Sequence, residues 1–71
     1  MKTPEELLTE CGISLTYNNG TFKNRNIRFL SEIGVLQVGD DNFDRWGNSV
    51  ELEFDLWTPK GQRAFLRWVN S

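Results

Sequence analysis

Val50-Glu51-Leu52-Glu53-Phe54-Asp55-Leu56-Trp57-Thr58-Pro59-Lys60-Gly61-Gln62-Arg63-Ala64-Phe65-Leu66-Arg67-Trp68-Val69 is an alternating segment that runs directly into a helix start and an amphipathic helix. In its first part Val50, Leu52, Phe54 and Leu56 share one parity, and Glu51, Glu53, Asp55 and Trp57 share the other. Side chains of a strand alternate between its faces, so this pattern predicts a strand with one dry side and one acidic, wet side. Thr58 and Pro59 then open a helix. A threonine oxygen can accept from an unpaired amide of the first turn, and a proline there gives up no hydrogen bond. Along the helix Gly61, Ala64, Phe65, Trp68 and Val69 form one apolar stripe, while Lys60, Arg63 and Arg67 cluster on the other side. A helix folded back onto the dry side of its own strand is the expected centre of the structure.

Working outward, Val35-Leu36-Gln37-Val38 reads as a second strand, joined to the first by a long hairpin loop from Gly39 to Asn48. Near the N-terminus Thr3-Pro4-Glu5-Glu6 is another helix start, with Glu6 completing a capping box. That helix runs to about Cys11, and Gly12 takes the left-handed cap. Ile13, Leu15 and Tyr17 alternate with Ser14 and Thr16 as a short strand, which ends in a turn at Asn18-Asn19-Gly20. Residues 21 to 34 read in two ways. As a helix, Thr21 is the cap, Phe22, Asn26, Phe29 or Leu30, and Ile33 share a face, and Gly34 ends it. As strands, Ile27 and Phe29 alternate with Arg28. The spacing and the closing glycine favour the helix. The expected fold is α+β: one domain over 1–71, with N-terminal and C-terminal helices and a small antiparallel sheet of two or three strands.

With 71 residues, the chain is near the size where one core barely suffices, and its three Trp, five Phe and one Tyr supply large buried areas. Cys11 is the sole cysteine, so no intrachain disulfide forms, and it reads as a small buried hydrophobe. There is no histidine, the commonest general base and metal ligand. The expectation is a protein that is not an enzyme and holds no cofactor or metal. No apolar run approaches the ~18 residues of a membrane span, and Met1 to Glu6 shows no secretory pattern; the expected location is cytoplasmic. The net charge of −2 is unevenly spread, acidic over 40–55 and basic over 60–67. That distribution does not describe a generally basic nucleic-acid binder.

Gly12-Ile13-Ser14, the candidate helix ending Phe29-Leu30-Ser31-Glu32-Ile33-Gly34-Val35-Leu36, the hairpin, and Leu56-Trp57-Thr58-Pro59-Lys60-Gly61 follow one another in an order that resembles a winged helix-turn-helix domain of the bacterial regulator type. The resemblance spans about residues 3 to 69. It implies a recognition helix over 22–33 that reads the major groove, with Lys23, Asn24, Arg25 and Arg28 facing DNA. The sequence departs from that pattern in three places. The usual first helix is absent, about five extra residues follow Gly12, and the wing tip carries Asp40, Asp41 and Asp44 against Arg45. A plain antiparallel sheet with two helices is the alternative architecture.

Three further patterns compete for function. Asp40, Asn42, Asp44, Asn48 and Glu51 have the spacing of calcium-loop oxygens, but Arg45 stands where the sharp turn needs glycine, so a polar hairpin loop is the plainer reading. Glu51, Glu53 and Asp55 lack a partner base or nucleophile and read as a solvated edge. Trp57 beside these acids, and Phe43 and Trp46 in the loop, have the chemistry of interface anchors. The functional expectation is a non-catalytic regulatory or inhibitory module, of the kind small bacterial or phage genes encode. It would bind another protein through Phe43, Trp46, Glu51, Glu53, Asp55 and Trp57. The alternative is a winged-helix DNA-binding regulator using Lys23, Asn24, Arg25 and Arg28.

Overall fold

A computed structural model describes residues 2–39 and 50–71. Its elements run α1 (Pro4–Glu10), β1 (Asn19–Phe22), β2 (Arg25–Leu30), β3 (Val35–Gly39), β4 (Val50–Asp55) and α2 (Pro59–Val69). The four strands form one antiparallel meander in the order β1-β2-β3-β4, so the sheet is wider than the two or three strands expected. Both helices begin as the sequence predicts. Thr3 Oγ1 accepts from the Glu6 amide at 3.2 Å, and Thr58 Oγ1 accepts from the Gly61 amide at 2.9 Å. Each threonine is followed by a proline in the first turn. Gly12, at φ +75°, closes the N-terminal helix as expected.

Residues 21 to 34 are not a helix. Phe22 pairs with Arg25 across a turn whose two central residues, Lys23 and Asn24, have φ of 56° and 63°. Two consecutive left-handed residues make the tight turn whose twist matches a hairpin. Beyond it, Arg25 to Leu30 alternates, with Ile27 and Phe29 buried. The residues that would share a helical face are divided by the strand period: Phe22 lies on the side of Ile27 and Phe29, and Asn26 and Leu30 lie on the other. Gly34 does terminate a segment, but as the left-handed end of the β2–β3 turn, its amide donating to Leu30 O at 2.8 Å.

The expected strand at 13–17 is also absent. Only Thr16 bridges, to Asn19, around a tight turn with Tyr17 and Asn18 at φ 52° and 63°. The turn therefore sits one residue earlier than Asn18-Asn19-Gly20, and Asn19 and Gly20 become the start of β1. Asn18 O then accepts from the Phe29 amide at 2.8 Å, tying the turn to β2.

One contiguous core joins Leu7 and Leu8 of α1 and Ile13 to Ile27, Phe29, Leu36, Val38, Phe54, Leu56 and Phe65. The buried apolar side chains of the strands share one side of the sheet, and both helices supply side chains to that side. Phe54 meets Phe65 edge-on at 5.8 Å and Trp68 at 5.6 Å, and Trp68 also meets Phe22 at 5.7 Å. Offset and tilted rings bind the C-terminal helix to both β4 and the β1 edge. Of the predicted apolar stripe, Phe65 is fully buried, Gly61, Trp68 and Val69 are half-buried, and Ala64 is exposed.

Lys23 ties the hairpin to the end of that helix. Its ammonium donates to Trp68 O at 2.7 Å and to Ser71 O and Oγ at 2.9 and 2.8 Å, and lies 5.6 Å from the Trp68 ring centre. The last carbonyls of a helix carry partial negative charge, so a lysine there offsets the dipole, joining the Ser71 amide at 3.3 Å and the Ser71 hydroxyl at 2.7 Å, which also donate to Trp68 O.

Candidate protein-binding face

With both helices on one side, no helix among the described residues lies over the opposite side of the sheet. Strand pairing aligns its side chains in rows. Across β2, β3 and β4 one row reads Arg28, Gln37, Glu53, and the next reads Leu30, Val35, Asp55. The first is a hydrogen-bonded ladder. Arg28 donates to Gln37 Oε1 through Nε at 2.9 Å and through its terminal nitrogen at 2.5 Å, and Gln37 Nε2 donates to Glu53 Oε2 at 3.0 Å. The glutamine relays between cation and carboxylate, using its acceptor toward one and its donor toward the other.

The second row leads to Trp57. Asp55 Oδ1 accepts from the Trp57 amide at 3.0 Å, which bends the chain out of β4. The indole lies over Gly34: a methyl group built there would come within 2.1 Å of the ring. Gly34 is thus required twice, for its φ of +70° and for the space the indole occupies. Trp57 nonetheless remains 49% exposed. Ile33 in the adjoining turn is 58% exposed, and Leu30 and Val35 are half-buried.

Of the expected binding residues, Glu53 and Asp55 share this face, and Trp57 follows just past the end of β4 with its ring against Gly34. Glu51 does not share it. The register shifts so that Val38 pairs with Leu52 while Gly39 pairs with Val50, leaving Glu51 as the extra residue of a bulge, where it forms an ion pair with Arg25. Phe43 and Trp46, and most of the oxygen-bearing loop, lie outside the described residues.

The residues that the winged-helix resemblance assigns to DNA are dispersed. Lys23 caps α2, Asn24 sits in the hairpin turn, Arg25 pairs with Glu51, and Arg28 belongs to the ladder on the open face. No helix carries them. Lys60, Arg63 and Arg67 are exposed on α2, as predicted.

Sequence reasoning missed Tyr17 and Ile33. Tyr17 is 94% exposed and holds a left-handed backbone at the tip of its turn, a conformation costing a residue with a Cβ about 1–2 kcal/mol. The signal was present in Tyr17-Asn18-Asn19, but the alternation of Ile13, Leu15 and Tyr17 masked it. Asn18, next in the turn, reaches Ser31 Oγ at 3.4 Å, and with Phe29, Leu30, Glu32 and Ile33 it lines an open depression of about 370 Å³.

Cys11 is half-buried, and burial, then the nearby Glu10 carboxylate, push its thiol pKa up. A raised thiol is a poor nucleophile at neutral pH. Among the described residues no three His, Cys, Asp or Glu side chains converge as a metal-binding group, and no helix is long and apolar enough to cross a membrane. No protein-family model, curated protein or solved structure matches this chain.

Proposed function

We propose that this chain is a non-catalytic regulatory or inhibitory module, acting in the cytoplasm, that binds another protein through the open face of its sheet at the Trp57 end. The observation that carries this reading is the half-exposed indole, packed against Gly34, with its backbone amide held by the Asp55 carboxylate. A large aromatic side chain held in place before contact loses little entropy on binding and brings much apolar area, which is why tryptophans dominate interface energetics. The carboxylates around it favour a partner with a basic rim.

The DNA-binding alternative draws less support. Its 22–33 helix is a hairpin, and Lys23 is engaged with the end of α2. An Arg28 beside Gln37 and Glu53 does not make the cationic surface that phosphates need.

The test is affinity capture from the native host, quantified by mass spectrometry, with wild type and Trp57→Ala side by side. The expected result is a discrete partner that the variant loses at least about tenfold, its circular dichroism unchanged. Equal recovery by both proteins would contradict the proposal.

A further inference from the structure

We propose that a trough between α1 and the β2–β3 turn receives a short segment of the partner protein, one in which apolar side chains are flanked by lysine or arginine. The inference rests on the reading that the chain binds a protein, and adds which part of that partner the fold can seat. Three open depressions join in a line here. The first, of about 370 Å³, runs along the turn past Leu30 and Ile33, and the second, of about 220 Å³, lies between the turn and α1. Asn18, Phe29 and Ser31 border both, so the two are continuous. Glu5 and Thr9 border the second and also a third, of about 350 Å³, which continues along α1 to Glu6 and Glu10. Depressions linked end to end by shared walls suit an elongated occupant better than a compact one.

The middle of the trough is apolar, lined by Leu8, Ile13, Leu15 and Phe29, and the exposed Ile33 extends it at one end. An apolar group laid there leaves water together with the surface it covers. One wall is the turn at Tyr17 and Asn18, both in the left-handed region, with the Asn18 amide reaching Ser31 Oγ. Tyr17 stands 94% exposed at its tip, an aromatic anchor beside the trough. Backbone strain of this kind clusters at ligand-contact sites. Charge then selects the occupant. Glu5, Glu6 and Glu32 are exposed along the line, whereas Glu10 is joined by Lys2 at 2.5 Å. Among the described residues no lysine or arginine lines any of the three depressions. Lysine and arginine lay their stems on apolar surface and carry their charge to its edge, which matches an apolar floor between carboxylates. A second copy offering the basic side of α2 has complementary charge too, but that contact joins two different surfaces and repeats as an open chain.

The test uses the whole chain and a fluorescein-labelled peptide, Lys-Lys-Leu-Ser-Leu-Lys-Lys. Fluorescence anisotropy is expected to show saturable binding with a Kd of about 10–300 µM. On titration into isotope-labelled protein, the amides that shift should be those of Thr9, Leu15, Asn18, Ser31 and Ile33. Lys-Lys-Ser-Ser-Ser-Lys-Lys, which lacks the apolar pair, and Glu-Glu-Leu-Ser-Leu-Glu-Glu, with the charge reversed, should each bind at least about tenfold more weakly. Glu5→Gln combined with Glu32→Gln, both on the surface, should weaken the first peptide about fivefold with circular dichroism unchanged. The proposal is overturned by no saturation at about 1 mM, by a control peptide that binds as tightly, or by shifts gathered elsewhere on the molecule. Unchanged affinity in the double variant also overturns it, as does a sedimenting mass that climbs steadily with concentration, the mark of copies filling one another's troughs. A peptide that fails to bind while partner capture still depends on Trp57 removes this inference and leaves the protein-binding reading in place. A peptide seated in the trough while capture ignores Trp57 supports this inference and removes the open face from that reading.

Discussion

Gly61 shows how closely the C-terminal helix sits on its strand. A methyl group at that position would come within 1.8 Å of Asp55 O, a backbone atom that cannot move aside without disturbing the end of β4. Gly61→Ala is therefore expected to lower stability by about 2 kcal/mol or more in urea unfolding, although alanine is the better helix former by ~1 kcal/mol. An unchanged or raised midpoint would show that the helix does not pack as described. At Cys11 the prediction concerns pH. The fold favours the neutral thiol, so its pKa is raised above the unfolded value, chiefly by burial. The contribution to stability is complete below the unfolded pKa and is lost as pH rises through the folded one. Iodoacetamide should therefore modify Cys11 in the folded protein more slowly at pH 8 than in the urea-unfolded chain, and mildly alkaline pH should erode stability. Equal alkylation rates in the two states would contradict the assignment.

At the scale of elements, α2 was legible because three signals agreed: Thr58 as cap, Pro59 behind it, and the Phe65/Trp68 stripe. The alternation of β4 was legible at Glu53, Phe54 and Asp55, but Leu52, expected on the dry side, is 38% exposed, and Val50 pairs with Gly39 beyond the bulge. The bulge at Glu51 was not legible, because a register shift depends on the partner strand and leaves the alternating pattern untouched. Residues 22–30 failed differently. Phe22 and Phe29 are seven apart, a spacing that fits two helical turns and fits equally two strands folded about Lys23-Asn24. Asn24 was a turn signal, but lysine is not a residue whose left-handed backbone a sequence announces. What holds Lys23 there is its bond to the end of α2, a contact 45 residues away in sequence. Lys23→Met is expected to cost about 1 kcal/mol and to speed amide exchange in the last turn of α2. Exchange left unchanged would show the cap to be idle. The Tyr17 turn gives the opposite sign. Asparagine tolerates a left-handed backbone, so Tyr17→Asn should raise stability by roughly 0.5–1 kcal/mol. A loss of stability would mean that the exposed ring makes contacts that hold the fold.

For the whole molecule, the meander leaves one side of the sheet to the core, and among the described residues no helix covers the other. Glu53 and Asp55, expected on the wet side of β4, lie there, and Trp57 follows just beyond the strand. The rest of the face comes from β2, β3 and the 31–34 turn, which contribute Arg28, Leu30, Ile33, Val35 and Gln37, and only pairing across strands brings these together. No reading of one segment at a time could assemble them. The account therefore distinguishes two sides of the protein: an aromatic, acid-rimmed face proposed for binding, and the basic outer side of α2 with Lys60, Arg63 and Arg67. Site-specific photo-crosslinking in host cells separates them most directly, with a benzophenone amino acid placed at the exposed Glu32, two residues from the Gly34 that supports Trp57, in one variant and at Arg63 in another. A discrete protein adduct is expected from position 32 and none from position 63. An adduct from position 63 alone, or from neither position, would contradict the proposed binding face.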